Sequence, residues 1–241
     1  MNLKYILPAL VAAALYPCSV QAEDDTQVYM MAGELNYVGG LSAEANEKLF
    51  ALYDAQAKKP TVLAIRSPGG DTELGMALGR WVYQHKLDVK VLESCNSSCA
   101  NYVFTAARNK IVSNFAIVGY HGGLSSASFD IDNESLDNLA KEFGGDREKA
   151  RAAANELTRK AIAPQLEREV QFFETIGVQQ RITTLGQADR YMKAAPDNAV
   201  AWYYGVEDFA RLGVTNITVI NPPWQPKMLA PGKTVFKVTV E

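Results

Sequence analysis

The sequence predicts an α/β protein with a largely parallel sheet, on three observations. Short β-branched and apolar runs recur at Gln27 to Leu35, Thr61 to Ile65 and Val89 to Leu92. Stretches with a helical apolar face alternate with them, from Ser42, over Thr72 to His85 and over Ala100 to Ala107, and glycine- or proline-bearing turns separate the two kinds of segment. Strand and helix in alternation place helices on the faces of a parallel sheet. With 48% hydrophobic and 21% charged residues in 241, one globular domain over 23–241 accounts for the chain. The net charge of -3, without a basic stripe interleaved with aromatics, argues against a nucleic-acid partner.

Residues 1–22 have the pattern of a secretory signal peptide: Lys4, the apolar run Tyr5 to Tyr16, and Val20-Gln21-Ala22 as a small-residue cleavage site. The run is shorter than the roughly 20 apolar residues of a membrane helix, so a cleaved signal and a periplasmic or secreted chain from Glu23 are expected, without a stable membrane anchor. Pro17 before Cys18 argues against a lipoprotein box. Gln27 to Leu35 reads as the first strand. After a turn at Gly39-Gly40, Ser42 opens a helix with Glu44 and Glu47 in its first turns and Ala45, Leu49, Leu52 and Tyr53 on its apolar side. Pro60 leads into the strand Thr61 to Ile65, which Ser67-Pro68-Gly69-Gly70 stops. The double glycine permits positive φ and close approach to bare backbone N–H groups. Asp71 or Thr72 caps the next helix, which buries Leu74, Met76, Leu78, Trp81 and Val82. His85 and Lys86 near its end suit the helix dipole, and no catalytic role is assigned to His85.

The chemistry concentrates after Val89 to Leu92, where Cys95, Asn96, Ser97, Ser98 and Cys99 precede the apolar run Tyr102 to Ala107. A serine at the mouth of a buried helix lies beside unpaired N–H groups able to stabilise an oxyanion. Cys95 and Cys99, the two cysteines left after signal removal, are assigned to a disulfide. Four residues along a helical turn separate Cα atoms by about 6 Å, near the upper end of bridgeable geometry. The alternatives are a nucleophilic Cys99 and a metal pair. An exported thiol tends to oxidise, and two thiols with only His85 and His121 as further imidazole ligands make a poor zinc site, so no metal is assigned.

The order SPGG, helix, strand, small-residue serine turn, apolar helix and strand ending in histidine resembles the Clp protease proteolytic subunit family and its crotonase-like superfamily. The run from Ser98 to Ala107 matches that family's serine and apolar helix position by position, and the likeness spans Val28 to Leu124 with an echo at Tyr204 to Val214. The turn is also similar to a Cys-x-Ser-x-Cys version in exported bacterial proteins. The resemblance implies a Clp protease/crotonase-like spiral of β-β-α units with a helical insertion after the histidine strand. It further implies Ser98 as nucleophile, with Ser97 as its alternative, His121 in IVGYHGG as base, and an oxyanion hole of Gly70 and Cys99 backbone. A serine hydroxyl needs such a base, and the base needs an orienting group. Counted back from Gly213-Val214, the orienting position falls on Ala201, a departure from the family; Asp197 or Asn198 could serve if the loop is offset, and Asp197 is taken as the third member.

Beyond His121, Gly122 to Asn133 is polar, and Leu136 to Ile176 is rich in helix formers, with breaks expected at Gly144-Gly145 and Pro164. Residues 134–190 are taken as a helical arm or insertion, which reads equally as a solvated helical hairpin covering the sheet and, because helices after the histidine make subunit contacts in the resembled family, as an arm for a homo-oligomer. Ala199 to Tyr204, Asn216 to Ile220 and Thr234 to Val240 read as strands and Val206 to Leu212 as a helix stopped at Gly213. Tyr102, Phe104, Trp202 and Tyr203 are assigned to the core. The functional expectation is an exported serine hydrolase, a peptidase on peptide or protein substrates needing no cofactor; the alternative is a catalytically silent Clp-like domain that binds peptide or a partner. An acyl-coenzyme A enzyme of the crotonase type ranks below both, because its substrate is not expected in an exported compartment.

Overall fold

Alternating apolar residues at the start of the described chain fold back on themselves. β1 (Gln27–Met31) and β2 (Glu34–Val38) form an antiparallel hairpin, with Ala32 and Gly33 at positive φ in the turn. One strand over Gln27 to Leu35 was expected here, but Ala-Gly is a weak turn signal, since alanine seldom takes that conformation. The structure is a computed structural model that describes residues 26–126, 131–227 and 231–241, so the expected signal segment and Cys18 lie outside the described residues. α1 (Ala43–Asp54) starts where Ser42 Oγ accepts from the Ala45 amide, and α2 (Thr72–Gln84) where the Asp71 carboxyl accepts from the Leu74 amide.

β3 (Val62–Arg66), β4 (Asp88–Val91), β6 (Lys110–Ser113) and β9 (Ile217–Ile220) extend the hairpin into a six-stranded sheet of order β1-β2-β3-β4-β6-β9, in which every pair after the hairpin is parallel. A second, two-stranded parallel sheet is made by β5 (Ser94–Asn96) and β7 (Ile117–Gly119). The chain passes from β4 into β5 and from β6 into β7, so the β4–β6 pair of the first sheet hands on to the β5–β7 pair of the second. Isolated bridges, Leu41 to Gly70, Ser67 to Cys95 and Tyr120 to Trp202, extend that second layer. β8 (Ala199–Tyr204) and β10 (Thr234–Val238) form a third parallel pair.

Between β5 and β6 the residues Cys99–Phe104 wind as a wide, π-type helix that packs against α2. Gly75 and Gly79 of α2 make the approach close. A Cβ on Gly75 would lie 2.8 Å from Tyr102 Cδ2 and 2.9 Å from Ser98 Cβ, and one on Gly79 would lie 2.6 Å from the Tyr102 carbonyl oxygen. Around this helix Phe104, Tyr120 and Tyr204 gather on Phe209, with ring centroids 5.4 to 6.1 Å apart, and Trp224 stacks on the same ring. Tyr102, Phe104 and Trp202 are buried, as core residues should be, while Tyr203 is half-buried. The C-terminal segment is pinned by Asp208 in α6 (Val206–Arg211), whose buried carboxyl accepts from the Val240 amide at 2.8 Å.

The described chain divides into two compact units. Residues 131–167 are the described part of the smaller one; residues 26–126 and 168–241, less 228–230, make up the larger. In the smaller unit α3 (Asn133–Glu142), capped by Asp132, buries Leu136 and Ala140 with Ala150 of the following helix. α4 (Arg147–Ile176) begins after Gly144 and Gly145, both at positive φ, and passes through Pro164 without a break. The expected interruption at Pro164 is thus corrected: a proline removes one N–H bond and crowds the preceding turn, a local cost of about 3 kcal/mol that a 30-residue helix absorbs. In the larger unit the short α5 (Asp189–Met192) precedes β8 and α6. Among the described residues no helix is long and apolar enough to cross a membrane.

Lys110 is 4% exposed, and its ammonium group donates to the Ala107 carbonyl at 2.7 Å, at the end of the helix that follows Cys99. Burial pulls its pKa down from 10.5 to about 8. A depressed lysine binds fewer protons folded than unfolded between those two values, so the penalty is fully present below pH 8 and is relieved as pH rises toward 10.5. Urea unfolding of wild type and Lys110→Met across that window should show wild type gaining stability relative to the variant. A difference that stays flat would mean the lysine is not desolvated.

Candidate active site

The serine turn is built by strand pairing. β5 and β7 run parallel with Asn96 opposite Gly119, and one residue on the Ser97 amide donates to the Gly119 carbonyl at 2.9 Å. Two residues past β7 comes His121. The two side chains leave the same ends of the same strand pair, and His121 Nε2 lies 2.8 Å from Ser97 Oγ. Ser97 has φ +55, a conformation a non-glycine residue holds only where its surroundings impose it. Here the amide bond to Gly119, the Ser97 carbonyl accepting from the Asn101 amide at 2.8 Å, and the Cys95–Cys99 disulfide, which spans the turn with Cα atoms 5.2 Å apart, impose it. Both cysteines are fully buried, and the pairing takes up the thiol that the nucleophilic-cysteine alternative would need.

The resemblance implies Ser98 as nucleophile with Ser97 as its alternative; in the structure the hydroxyl that meets His121 is that of Ser97, not Ser98. Ser98 is 2% exposed, has right-handed helical φ and ψ, and its hydroxyl donates to the Gly70 carbonyl at 2.8 Å, away from the imidazole. Counting back from the apolar helix selects Ser98 because it is the first helical residue. The residue at the apex of the turn, which faces β7, is the one before it.

The SPGG turn lies against this apex. Its Leu41 amide bond to the Gly69 carbonyl, at 2.8 Å, and the Gly69 amide bond to Ser67 Oγ, at 3.1 Å, fix its path. A Cβ on Gly69 would stand 2.7 Å from Ser97 Cβ and 3.0 Å from the Ser98 nitrogen. Of the two backbone positions expected to form an oxyanion hole, Gly70 presents its carbonyl to Ser98 and Cys99 begins the buried helix. Relative to the Ser97 hydroxyl, the adjacent amide is that of Ser98 and the abutting glycine is Gly69. A cavity of about 640 Å3 opens beside the turn, lined by Arg66, Ser67, Pro68, Ser94 and Asn96 among others.

The third member is not where the sequence placed it. Asp197 is exposed in the turn before β8 and makes no hydrogen bond or ion pair with His121 among the described residues. That turn is engaged on its other side, Asn198 bonding the Gly232 carbonyl and accepting from the Thr234 amide. Ala201, the position counted for the orienter, lies in β8 paired with Val235. Among the described residues no carboxyl group hydrogen-bonds the imidazole, and no group of three His, Cys, Asp or Glu side chains is placed to hold a metal ion.

Two residues that no sequence motif marks, Asn101 and Glu169, lie beneath the histidine loop. Asn101, 2% exposed, donates from Nδ2 to the Gly122 carbonyl at 3.0 Å. Tyr102 donates its hydroxyl to Glu169 Oε1 at 2.7 Å, and Gln180 Nε2 donates to Glu169 Oε2 at 2.7 Å. Burial first, and the Glu169 carboxyl second, raise the Tyr102 pKa far above its ordinary value, so this hydroxyl stays a donor. In sequence Glu169 is one acid in a run of charges on a long polar helix. No local pattern separates it from solvent-facing neighbours.

No protein-family model matches the chain, and no curated protein sequence matches it. Among solved structures it is similar to one described as a "putative enoyl-CoA hydratase from Streptomyces avermitilis", over 38% of this chain and 46% of that one, at 12% identity and a TM-score of 0.29. The chain thus spans under half of that neighbour's length. A likeness of this size carries no argument about fold or activity.

Proposed function

We propose that this chain is a serine hydrolase whose nucleophile is Ser97 and whose general base is His121. The observation that carries this reading is the 2.8 Å contact between His121 Nε2 and Ser97 Oγ, with Ser97 held at φ +55 at the mouth of a buried helix. A hydroxyl within hydrogen-bond reach of an imidazole is the minimal activated nucleophile. In the proposed reaction Ser97 Oγ attacks the substrate carbonyl as its proton passes to His121 Nε2. The oxyanion meets backbone N–H groups of the turn. The imidazolium then protonates the leaving group, giving an acyl-enzyme that water hydrolyses by the reverse transfers.

The finer family reading, a Clp protease-like member of the crotonase-like superfamily, is supported by the layered parallel sheets and by the placement of the SPGG turn against the serine apex. It suggests peptide or protein as the acyl substrate. The Cys95–Cys99 disulfide supports export to an oxidising compartment, periplasmic or secreted, after signal cleavage. The second reading, a silent domain that binds peptide in the same cleft, is favoured by one observation: His121 lacks a carboxyl partner among the described residues.

Fluorophosphonate labelling separates the two. Serine attack on the phosphorus expels fluoride and leaves a stable adduct, so wild type and Ser98→Ala should label, while Ser97→Ala should fall below about 1% of wild type. Equal labelling of Ser97→Ala and wild type would remove Ser97 from the role, and a folded wild type that never labels would favour the binding domain.

A further inference from the structure

Among the described residues no carboxyl group bonds the imidazole that meets Ser97, yet the loop that carries it is tied down from below. Asn101 makes two bonds that join the halves of the site. Its backbone amide donates to the Ser97 carbonyl at 2.8 Å, and its side-chain Nδ2 donates to the Gly122 carbonyl, directly after His121, at 3.0 Å. One buried residue therefore sets where the hydroxyl and the imidazole sit relative to each other. Its neighbour Tyr102 reaches the carboxyl of Glu169, which is fully buried. Glu169 Oε1 lies only 3.4 Å from where a Cβ on Gly123 would stand, so this carboxyl underlies the same loop. Thr183 crowds that glycine too, at 2.5 Å from its Oγ1. A buried polar group costs stability unless it is bonded, and in this cluster Tyr102 and Gln180 both bond Glu169.

We propose that Asn101 and Glu169 are the positioning residues for His121, standing in for the carboxyl group that the Ala201 position does not provide. This rests on the Ser97–His121 reading. Asn101 holds the main chain at Gly122, and Glu169, bonded by Tyr102 and Gln180 and filling the space beside Gly123 where a side chain would stand, forms the floor of the loop. Neither touches the substrate. Their effect is on the alignment of the base, and misplacement of a catalytic group by a fraction of its reach lowers the chemical step more than it lowers binding.

The test is the kinetics of inactivation by a fluorophosphonate probe, resolved into KI and kinact, for wild type, Asn101→Ala, Asn101→Asp and Glu169→Gln, each checked for folding by thermal melting. Asn101→Asp keeps the size and the backbone bond to Ser97 but loses the N–H donor to Gly122. Both Asn101 variants should lose about tenfold or more in kinact with KI within about twofold of wild type, and Glu169→Gln should lose kinact by a smaller factor. A folded Asn101→Asp with wild-type kinact overturns the proposal, as does a change confined to KI. Failure of both Asn101 variants to fold would assign the residue to the core alone and overturn it equally. Absence of labelling in wild type is a different result, since it strikes at Ser97 and His121 themselves.

Discussion

His121→Ala is expected to slow fluorophosphonate labelling by about 10²- to 10⁴-fold, the range that a positioned general base contributes. The argument starts from exposure. His121 is a surface residue, and its side chain has a single hydrogen bond among the described residues, the one to Ser97 Oγ. Removing it leaves no buried cavity and orphans no buried polar atom, so stability should change by no more than about 0.5 kcal/mol. Rate and stability therefore separate cleanly. In Ser97→Ala the adduct site is lost outright; in His121→Ala the hydroxyl remains but has no base, so slow labelling should survive and rise with pH as hydroxide takes over. Labelling within about twofold of wild type would reduce the 2.8 Å contact to a surface bond with no role in attack.

What the sequence carried about the fold follows from element length. α1 and α2 were readable because each exposes three turns of periodicity after an oxygen-bearing cap, Ser42 and Asp71. β5 and β7, at three residues each, are too short for any alternation to register, yet they place the serine and the histidine. The site was legible as a neighbourhood for that reason, and its atoms were not. Ser97 and Ser98 differ by one step along a chain that changes from φ +55 to helical between them, and only that conformational step decides which hydroxyl faces β7. The flanking cysteines did mark the apex residue: a bridge from Cys95 to Cys99 centres on Ser97. Asp197 failed as orienter for a different reason. Position along the chain says nothing of which edge a turn faces, and the bonds of Asn198 commit this one to Gly232 and Thr234. Glu169 shows the limit most plainly, because a buried acid is defined by partners 67 and 11 residues away.

Gly69→Ala is expected to destabilise the protein by about 2–5 kcal/mol and to abolish labelling in whatever fraction stays folded. Two effects add. Gly69 sits at φ +99, where an L side chain is strained, and the new Cβ would lie 2.7 Å from the Asn96 carbonyl oxygen, 2.7 Å from Ser97 Cβ and 3.0 Å from the Ser98 nitrogen. Two of those three neighbours are backbone atoms inside the β5 turn, which a rotamer change cannot move. The third belongs to the proposed nucleophile. Relief requires the SPGG turn and the serine apex to separate, and the bond of the Leu41 amide to the Gly69 carbonyl resists it from the other side. Gly33→Ala supplies the comparison, because Gly33 has φ +79 and nothing within 4 Å of its would-be Cβ. That substitution should cost only the backbone strain, about 1–2 kcal/mol, and leave labelling at the wild-type rate. The difference between the two urea midpoints then isolates the steric part. If Gly69→Ala were no less stable than Gly33→Ala and labelled normally, the close approach of the glycine turn to Ser97 would not be a condition of the site.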